Sequence, residues 1–221
     1  MPLVFSYGWQ RNPPRLLRIL GMGDCVRSRD AEERFLARLG GMHEKLKGLC
    51  LVMGGFMDGI LGKAYGILPL LPSPFLHDFD VYYREHDEDA AARRLVLAYG
   101  AARRPVFVIG HSWGGSTCVC DVLARPFVRT IPVAALLTLD PVGMRPPLPL
   151  PQVRRWCNVY VDYSRACWSR QNNIARIGRP WGRIPHAGEN HEFSGAWHPD
   201  AAGMFRERGA SFLMEVLRPW A

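Results

Sequence analysis

Val106-Phe107-Val108-Ile109-Gly110-His111-Ser112-Trp113-Gly114-Gly115 is the stretch from which the rest of the chain can be read. Its first four residues are apolar, three of them β-branched, and a glycine ends the run, which is the pattern of a short buried strand. The run feeds directly into Gly110-His111-Ser112-Trp113-Gly114, a G-x-S-x-G pattern, and Ser116 to Leu123 behind it suits a helix. A strand turning sharply into a helix places the serine at the tip of the turn. The residues two before and two after it must be small, because strand and helix pass close together there. Trp113 follows the serine, so its backbone N–H points from the start of the helix to where an oxyanion would form.

Outward from this point the chain alternates strand and helix. Leu49-Cys50-Leu51-Val52-Met53 reads as a buried strand ended by Gly54-Gly55. Phe79 to Tyr83 is a second strand, and Glu88 to Tyr99 an amphipathic helix closed by Gly100. Val133 to Leu139 follows as a strand ended by Asp140-Pro141. Arg154 to Val161 follows as another, and Ala201 to Leu217 as a terminal helix. Trp113 to Leu123 is expected as the helix behind the serine, Glu192 to Trp197 as a last strand or loop, and Arg145 to Pro151 as a stiff connection. This order predicts an α/β fold, a mostly parallel sheet with helices on both faces, built as one domain over residues 1–221. Within 1–48 only Ser28 to Leu39 shows helical character, with acids early and Arg38 late. The rest of that segment carries no readable element, and no internal repeat is present.

Gly110-His111-Ser112-Trp113-Gly114-Gly115, followed by Leu137-Thr138-Leu139-Asp140-Pro141-Val142, resembles the lipase/esterase branch of the α/β-hydrolase superfamily. The likeness covers about residues 49–142 by motif and the C-terminal third by order alone. It departs at the N-terminus, where little in 1–48 looks like the first two strands and a trimmed sheet is implied. No sizeable lid insertion is visible. The resemblance implies the chain order serine, acid, histidine, and hydrolysis of carboxylic esters through an acyl-enzyme on Ser112.

A serine nucleophile needs a base, an acid that orients the base, and donors for the oxyanion. Asp140 sits at the end of the strand after the serine, on the carboxyl edge that also carries Ser112, and Asp162, after the next strand, competes with it as the acid. Beyond these, His186, His191 and His198 remain as bases. His198 lies just before a helix expected to start at Pro199-Asp200, where proline suits the first turn. His191 sits in the looser Glu189-Asn190-His191-Glu192, and both stay open as the base. His111 precedes the serine and is expected to support the structure with its side chain turned away from the site. The loop Gly54-Gly55-Phe56-Met57-Asp58-Gly59 offers the second oxyanion donor, Phe56 first and Met57 next. Met53, Met57 and Trp113 are otherwise wall or core residues. No cofactor and no metal is required by this chemistry, and no G-x-G-x-x-G or Gly-Lys-Ser/Thr pattern points to a nucleotide.

With 28 Lys plus Arg against 20 Asp plus Glu, the formal net charge is +8, spread along the chain without the aromatic-interleaved stripe of a nucleic-acid protein. The charge favours anionic surfaces, so peripheral contact with an anionic membrane joins a small-molecule or lipid ester as the expected partners. No apolar run is long enough to span a bilayer, and no basic-then-apolar leader opens the sequence. A cytoplasmic, reducing compartment is therefore expected, with export as an antibacterial effector left open. The six cysteines lack paired C-x-x-C spacing, so no structural disulfide is expected, Cys157–Cys167 being the one pair to check. Two other functions fit the same motifs: a hydrolase-fold binding protein without chemistry, and a thioesterase or amidase using the same residues.

Overall fold

A computed structural model describes residues 4–6, 48–56, 58 and 62–218. The helix expected over Ser28 to Leu39, Met57 and Cys25 lie outside the described residues. The strands are β1 Val4–Ser6, β2 Gly48–Met53, β3 Phe79–Arg84, β4 Val106–His111, β5 Val133–Leu139, β6 Val153–Tyr160 and β7 Glu189–Glu192. They form one sheet in the order β1-β3-β2-β4-β5-β6-β7, and every pairing is parallel. β1 falls within the segment that carried no readable strand; three residues are too few to show a period.

An all-parallel sheet is covered on both faces, which is why β2, β4 and β5 are continuous apolar runs and buried along their whole length. Alternate residues still separate two cores. Cys50, Val52, Phe107, Ile109, Leu137 and Val159 face one layer, made by a 3₁₀ turn at Tyr65–Leu70, helix α1 (Ser73–Asp78) and the C-terminal helices. Leu49, Leu51, Val106, Val108 and Leu136 face the other, made by α2 (Asp89–Ala101) and the helix behind Ser112. Phe75, Phe79 and Phe107 meet at ring-centre distances of 4.9 to 5.4 Å in the first core. Each such fully buried ring stabilises the fold by roughly 1.5–3 kcal/mol. At the other end of the sheet a polar rung is buried: Trp156 Nε1 donates to Thr138 Oγ1, which donates to Asn158 Oδ1, and Asn158 Nδ2 donates to Asn190 Oδ1. With partners on three adjacent strands, these groups tie β5, β6 and β7 together without an orphaned donor between them.

The helix behind Ser112 begins as α3 (Trp113–Thr117) and continues in π-helical form over Cys118–Leu123. After β6 the chain makes a long excursion carrying α4 (Arg170–Ile177), an element the sequence did not announce. β7 starts three residues before the expected last strand, so Phe193 to Pro199 is loop. The terminal helix runs as α5 (Ala201–Met204), a π-helical turn at Phe205–Gly209, and α6 (Ala210–Leu217). Its cap is Asp200, whose carboxylate accepts from Gly203 N at 2.8 Å; Pro199 stands before the cap and not in the first turn. The sheet order reverses between β2 and β4. Chain segments leaving those two strands at their carboxyl ends diverge and leave a crevice between them. The loop Gly54–Phe56 and the turn at Ser112 flank that crevice.

Candidate active site

Ser112 sits at φ 55°, ψ −127°, a strained conformation for a residue with a side chain. Neighbouring backbone holds it there: Ser112 N donates to Leu139 O at 3.0 Å, and Val142 N donates to Ser112 O at 3.1 Å. The two motif glycines are demanded by contact. A Cβ on Gly110 would lie 2.7 Å from Gly115 Cα and 2.9 Å from Cys118 Sγ, and one on Gly114 would overlap the carbonyls of Met53 and Gly54. Strand and helix therefore pass as closely as the motif requires.

From Ser112 a chain of hydrogen bonds runs inward. Ser112 Oγ is 3.0 Å from His198 Nε2, and His198 Nδ1 is 2.6 Å from Asp140 Oδ2. With the proton on Nδ1, the imidazole donates to the carboxylate and presents Nε2 as acceptor to the serine hydroxyl. Asp140 is fully buried at the end of β5, in a left-handed backbone conformation of φ 41°. Its charge is matched by donors: Val161 N reaches Oδ1 at 3.1 Å, and the Tyr163 hydroxyl reaches Oδ2 at 2.5 Å. Burial, with the Asp140 carboxylate beside it, pushes the Tyr163 phenol well above its ordinary range, so it remains a donor.

His198 is held at its backbone by two side chains from elsewhere. Asn172 Oδ1, on the inner face of α4, accepts from His198 N at 2.9 Å, and the Asn172 amide donates to Cys167 O at 3.0 Å and Ala196 O at 3.3 Å. His111 Nε2 lies 2.9 Å from His198 O, and its ring stacks on the His198 ring with centres 5.1 Å apart. This corrects the expectation that His111 turns away from the site. It does so because His198 comes from the loop after β7 and packs over the end of β4, where His111 lies. Burial, and then the neighbouring His198 charge, lower the His111 pKa to about 4. Its Nδ1 is buried with no hydrogen-bond partner among the described residues. A neutral His111 donating through Nε2 fits that environment.

The loop after β2 passes directly over the serine. A Cβ on Gly55 would lie 2.6 Å from Ser112 Cβ and 3.1 Å from its Oγ. Buried Asp58 clamps the loop by accepting from Tyr83 Oη at 2.5 Å and from Ala64 N at 2.8 Å. The Phe56, His86 and Trp113 rings form a triangle with centres 5.2 to 6.1 Å apart, which fastens the loop to the start of α3. A cavity of about 230 Å³ opens beside them, bounded by His86, Trp113, Gly143 and Met144. A larger one, about 380 Å³, lies at the far end of β6 around Val153 and Trp156, remote from the serine.

The remaining sequence candidates are elsewhere. His191 on β7 bonds Glu207 Oε1 at 2.8 Å, and His186 lines the far cavity. Asp162 organises its own turn, accepting from Ser164 N and Oγ and pairing with Arg165 at 2.8 Å. Met53 is core, and Trp113 is partly exposed at the cavity. Cys157 and Cys167 are both free thiols, the first buried and the second exposed. Among the described residues no cluster of three His, Cys, Asp or Glu side chains is placed to hold a metal ion. Tyr163, Asn172 and Asp58 were not singled out from sequence. Nothing in a lone Tyr, Asn or Asp within a loop or short helix distinguishes it there.

A family model described as the alpha/beta hydrolase family matches this chain over residues 53–221. Comparison with curated proteins and with solved structures gave no match. The matched span contains the Gly54–Phe56 loop, the turn at Ser112, Asp140 and His198, and covers most of the chain. The chain belongs to the alpha/beta hydrolase family.

Proposed function

We propose that the protein is a serine hydrolase that cleaves carboxylic esters through an acyl-enzyme on Ser112. The observation that carries this reading is the continuous hydrogen-bond path from Ser112 Oγ through His198 to the buried Asp140. In the first half-reaction His198 Nε2 takes the serine proton as Oγ attacks the ester carbonyl. The tetrahedral oxyanion is received by the backbone N–H groups of Trp113 and Phe56. Its collapse expels the alkoxide, which takes the proton from His198 and leaves as the alcohol. Water then repeats the sequence: His198 removes its proton, the hydroxide oxygen adds to the acyl carbon, and the carboxylic acid departs as Ser112 regains its hydrogen. Asp140 holds the imidazole in the Nδ1–H tautomer and stabilises the imidazolium formed in each half.

Support for the oxyanion donors comes from the Gly55 approach to Ser112 and the ring triangle that binds the Phe56 loop to α3. Hydrolysis of short p-nitrophenyl esters tests the reading. Ser112→Ala should lower kcat by about 10⁴ to 10⁶-fold while thermal unfolding stays near that of the parent. Turnover within tenfold of the parent would contradict it. A hydrolase-fold protein that only binds would show no turnover in either form.

A further inference from the structure

We propose that the outer face of α4, with the turn before it, docks the protein on an anionic phospholipid bilayer. α4 is amphipathic in an inverted sense. Its buried positions are Asn172 and Ala175, while Arg170, Ile174 and Ile177 fall at i, i+4 and i+7 on the opposite side, facing solvent. Ile177 is 80% exposed and Ile174 52% exposed, and Trp168 just before the helix is 83% exposed. Isolated surface apolar residues need no explanation, but two isoleucines and a tryptophan, all exposed, within the ten residues 168–177 are a patch. Arg176 braces the Trp168 ring from below, its guanidinium 4.4 Å from the ring centre. Arg176 is itself anchored by donation to the Tyr163 and Ala166 carbonyls at 3.1 and 2.9 Å. The indole is therefore held outward and rigid, in the manner of an interfacial anchor.

Charge selects the partner. Between Val161 and Gly188 the sequence has five arginines and one acid, Asp162. Arg165 is neutralised by Asp162 and Glu192, and Arg176 is occupied as described. Arg170, Arg179 and Arg183 make no ion pair among the described residues, and all three are exposed. Cations flanking exposed Trp and Ile match anionic headgroups above an acyl layer. Among the described residues no helix is long and apolar enough to cross a membrane. The inner face of the same helix holds His198 through Asn172, and its C-terminal end meets the segment after Asp140, with Gly143 N donating to Arg179 O at 3.0 Å. Docking through α4 thus places at the lipid surface the helix whose inner face positions His198.

Docking through α4 does not depend on ester hydrolysis, and it is read by vesicle binding. The full chain is co-sedimented with vesicles of phosphatidylcholine alone or with about 30 mol% phosphatidylglycerol, at low and high salt. Binding to the anionic vesicles that weakens with salt is expected, with little to the neutral ones. Each arginine near an anionic surface strengthens binding by about fivefold, so Arg170→Glu with Arg179→Glu should weaken it by about 25-fold or more. Trp168→Ala with Ile177→Ser should weaken it by at least about tenfold. Hydrolysis of a soluble short ester should be unchanged in both. Equal binding to both vesicle types, no binding by the parent, or parental binding by both double variants overturns the assignment. Circular dichroism shows whether the variants are folded, and the parent comparison needs no variant at all.

Discussion

The serine end and the histidine end of the Ser112–His198–Asp140 path are held in different ways. Ser112 is set by a local turn, to which the next strand end adds two backbone bonds, from Ser112 N to Leu139 O and from Val142 N to Ser112 O. Gly110 and Gly114 let strand and helix close on each other, and the turn between them holds the serine at φ 55°. His198 is fixed by residues remote in the chain. Asn172 holds its N–H from 26 positions away, and His111 holds its carbonyl from 87 positions away. Tyr163 and Val161 hold Asp140, which in turn orients the ring. A sharp local turn can position one atom, but a base that must keep its distance to two partners needs fastening from several directions.

The histidine end is most sensitive at Asp140. Asp140→Asn keeps the shape but supports the wrong imidazole tautomer, and kcat for a p-nitrophenyl ester should fall by about 10⁴-fold. Asp162→Asn, which disturbs only its own turn, should stay within a few-fold; the reverse ranking would move the acid to Asp162. Next comes Asn172→Ala, which leaves the His198 N–H unpaired and loosens the loop. A fall of about 10²-fold in kcat with KM little changed is expected, as for a misplacement of about 1 Å. Equal loss in KM and none in kcat would show that Asn172 shapes binding instead. Tyr163→Phe removes one donor to the Asp140 carboxylate and should cost about tenfold in kcat, the lower end of the roughly 1.5–3 kcal/mol that a hydrogen bond to a charged group contributes, because Val161 N and His198 still donate to it.

The effect of His111 is read in stability and not in rate. Its folded pKa of about 4 lies below the ordinary value of 6.5, so between these two pH values the unfolded chain binds more protons than the native one. Its contribution is fully present above pH 6.5 and is lost as pH falls towards 4. Urea unfolding across that window should show the loss, and His111→Gln, which keeps a donor for the His198 carbonyl, should flatten it. The same slope in parent and variant would contradict the burial of a neutral imidazole.

This contrast also accounts for what the sequence could tell. β2, β4 and β5 were legible because strands covered on both faces are unbroken apolar runs, and the serine turn was legible because its glycines have fixed spacing. β1 and β7 are short, and β7 reads Glu-Asn-His-Glu, with no apolar period to find. α4 hid for another reason: its exposed face carries the isoleucines and its buried face an asparagine, the opposite of an ordinary surface helix. Asp140 and Asp162, and His191 and His198, could not be ranked by spacing, because their separation in space is decided by the loop after β7 and by Asn172. His111 supports the structure as its place before the serine suggests, but the side to which it turns is not legible, because the direction of a strand-end side chain says nothing about which distant loop packs on it.

In the mechanism proposed above His198, which lies 3.0 Å from Ser112 Oγ, activates the serine, and His191, bonded to Glu207, does not. The rate at which a fluorophosphonate probe labels Ser112, mapped by peptide mass, tests it in a single step, because labelling requires the activated hydroxyl but no substrate specificity. The parent should label at Ser112, Ser112→Ala should not label, His198→Ala should label far more slowly, and His191→Ala should label near the parental rate. Parental labelling of His198→Ala together with loss of labelling in His191→Ala would contradict the account.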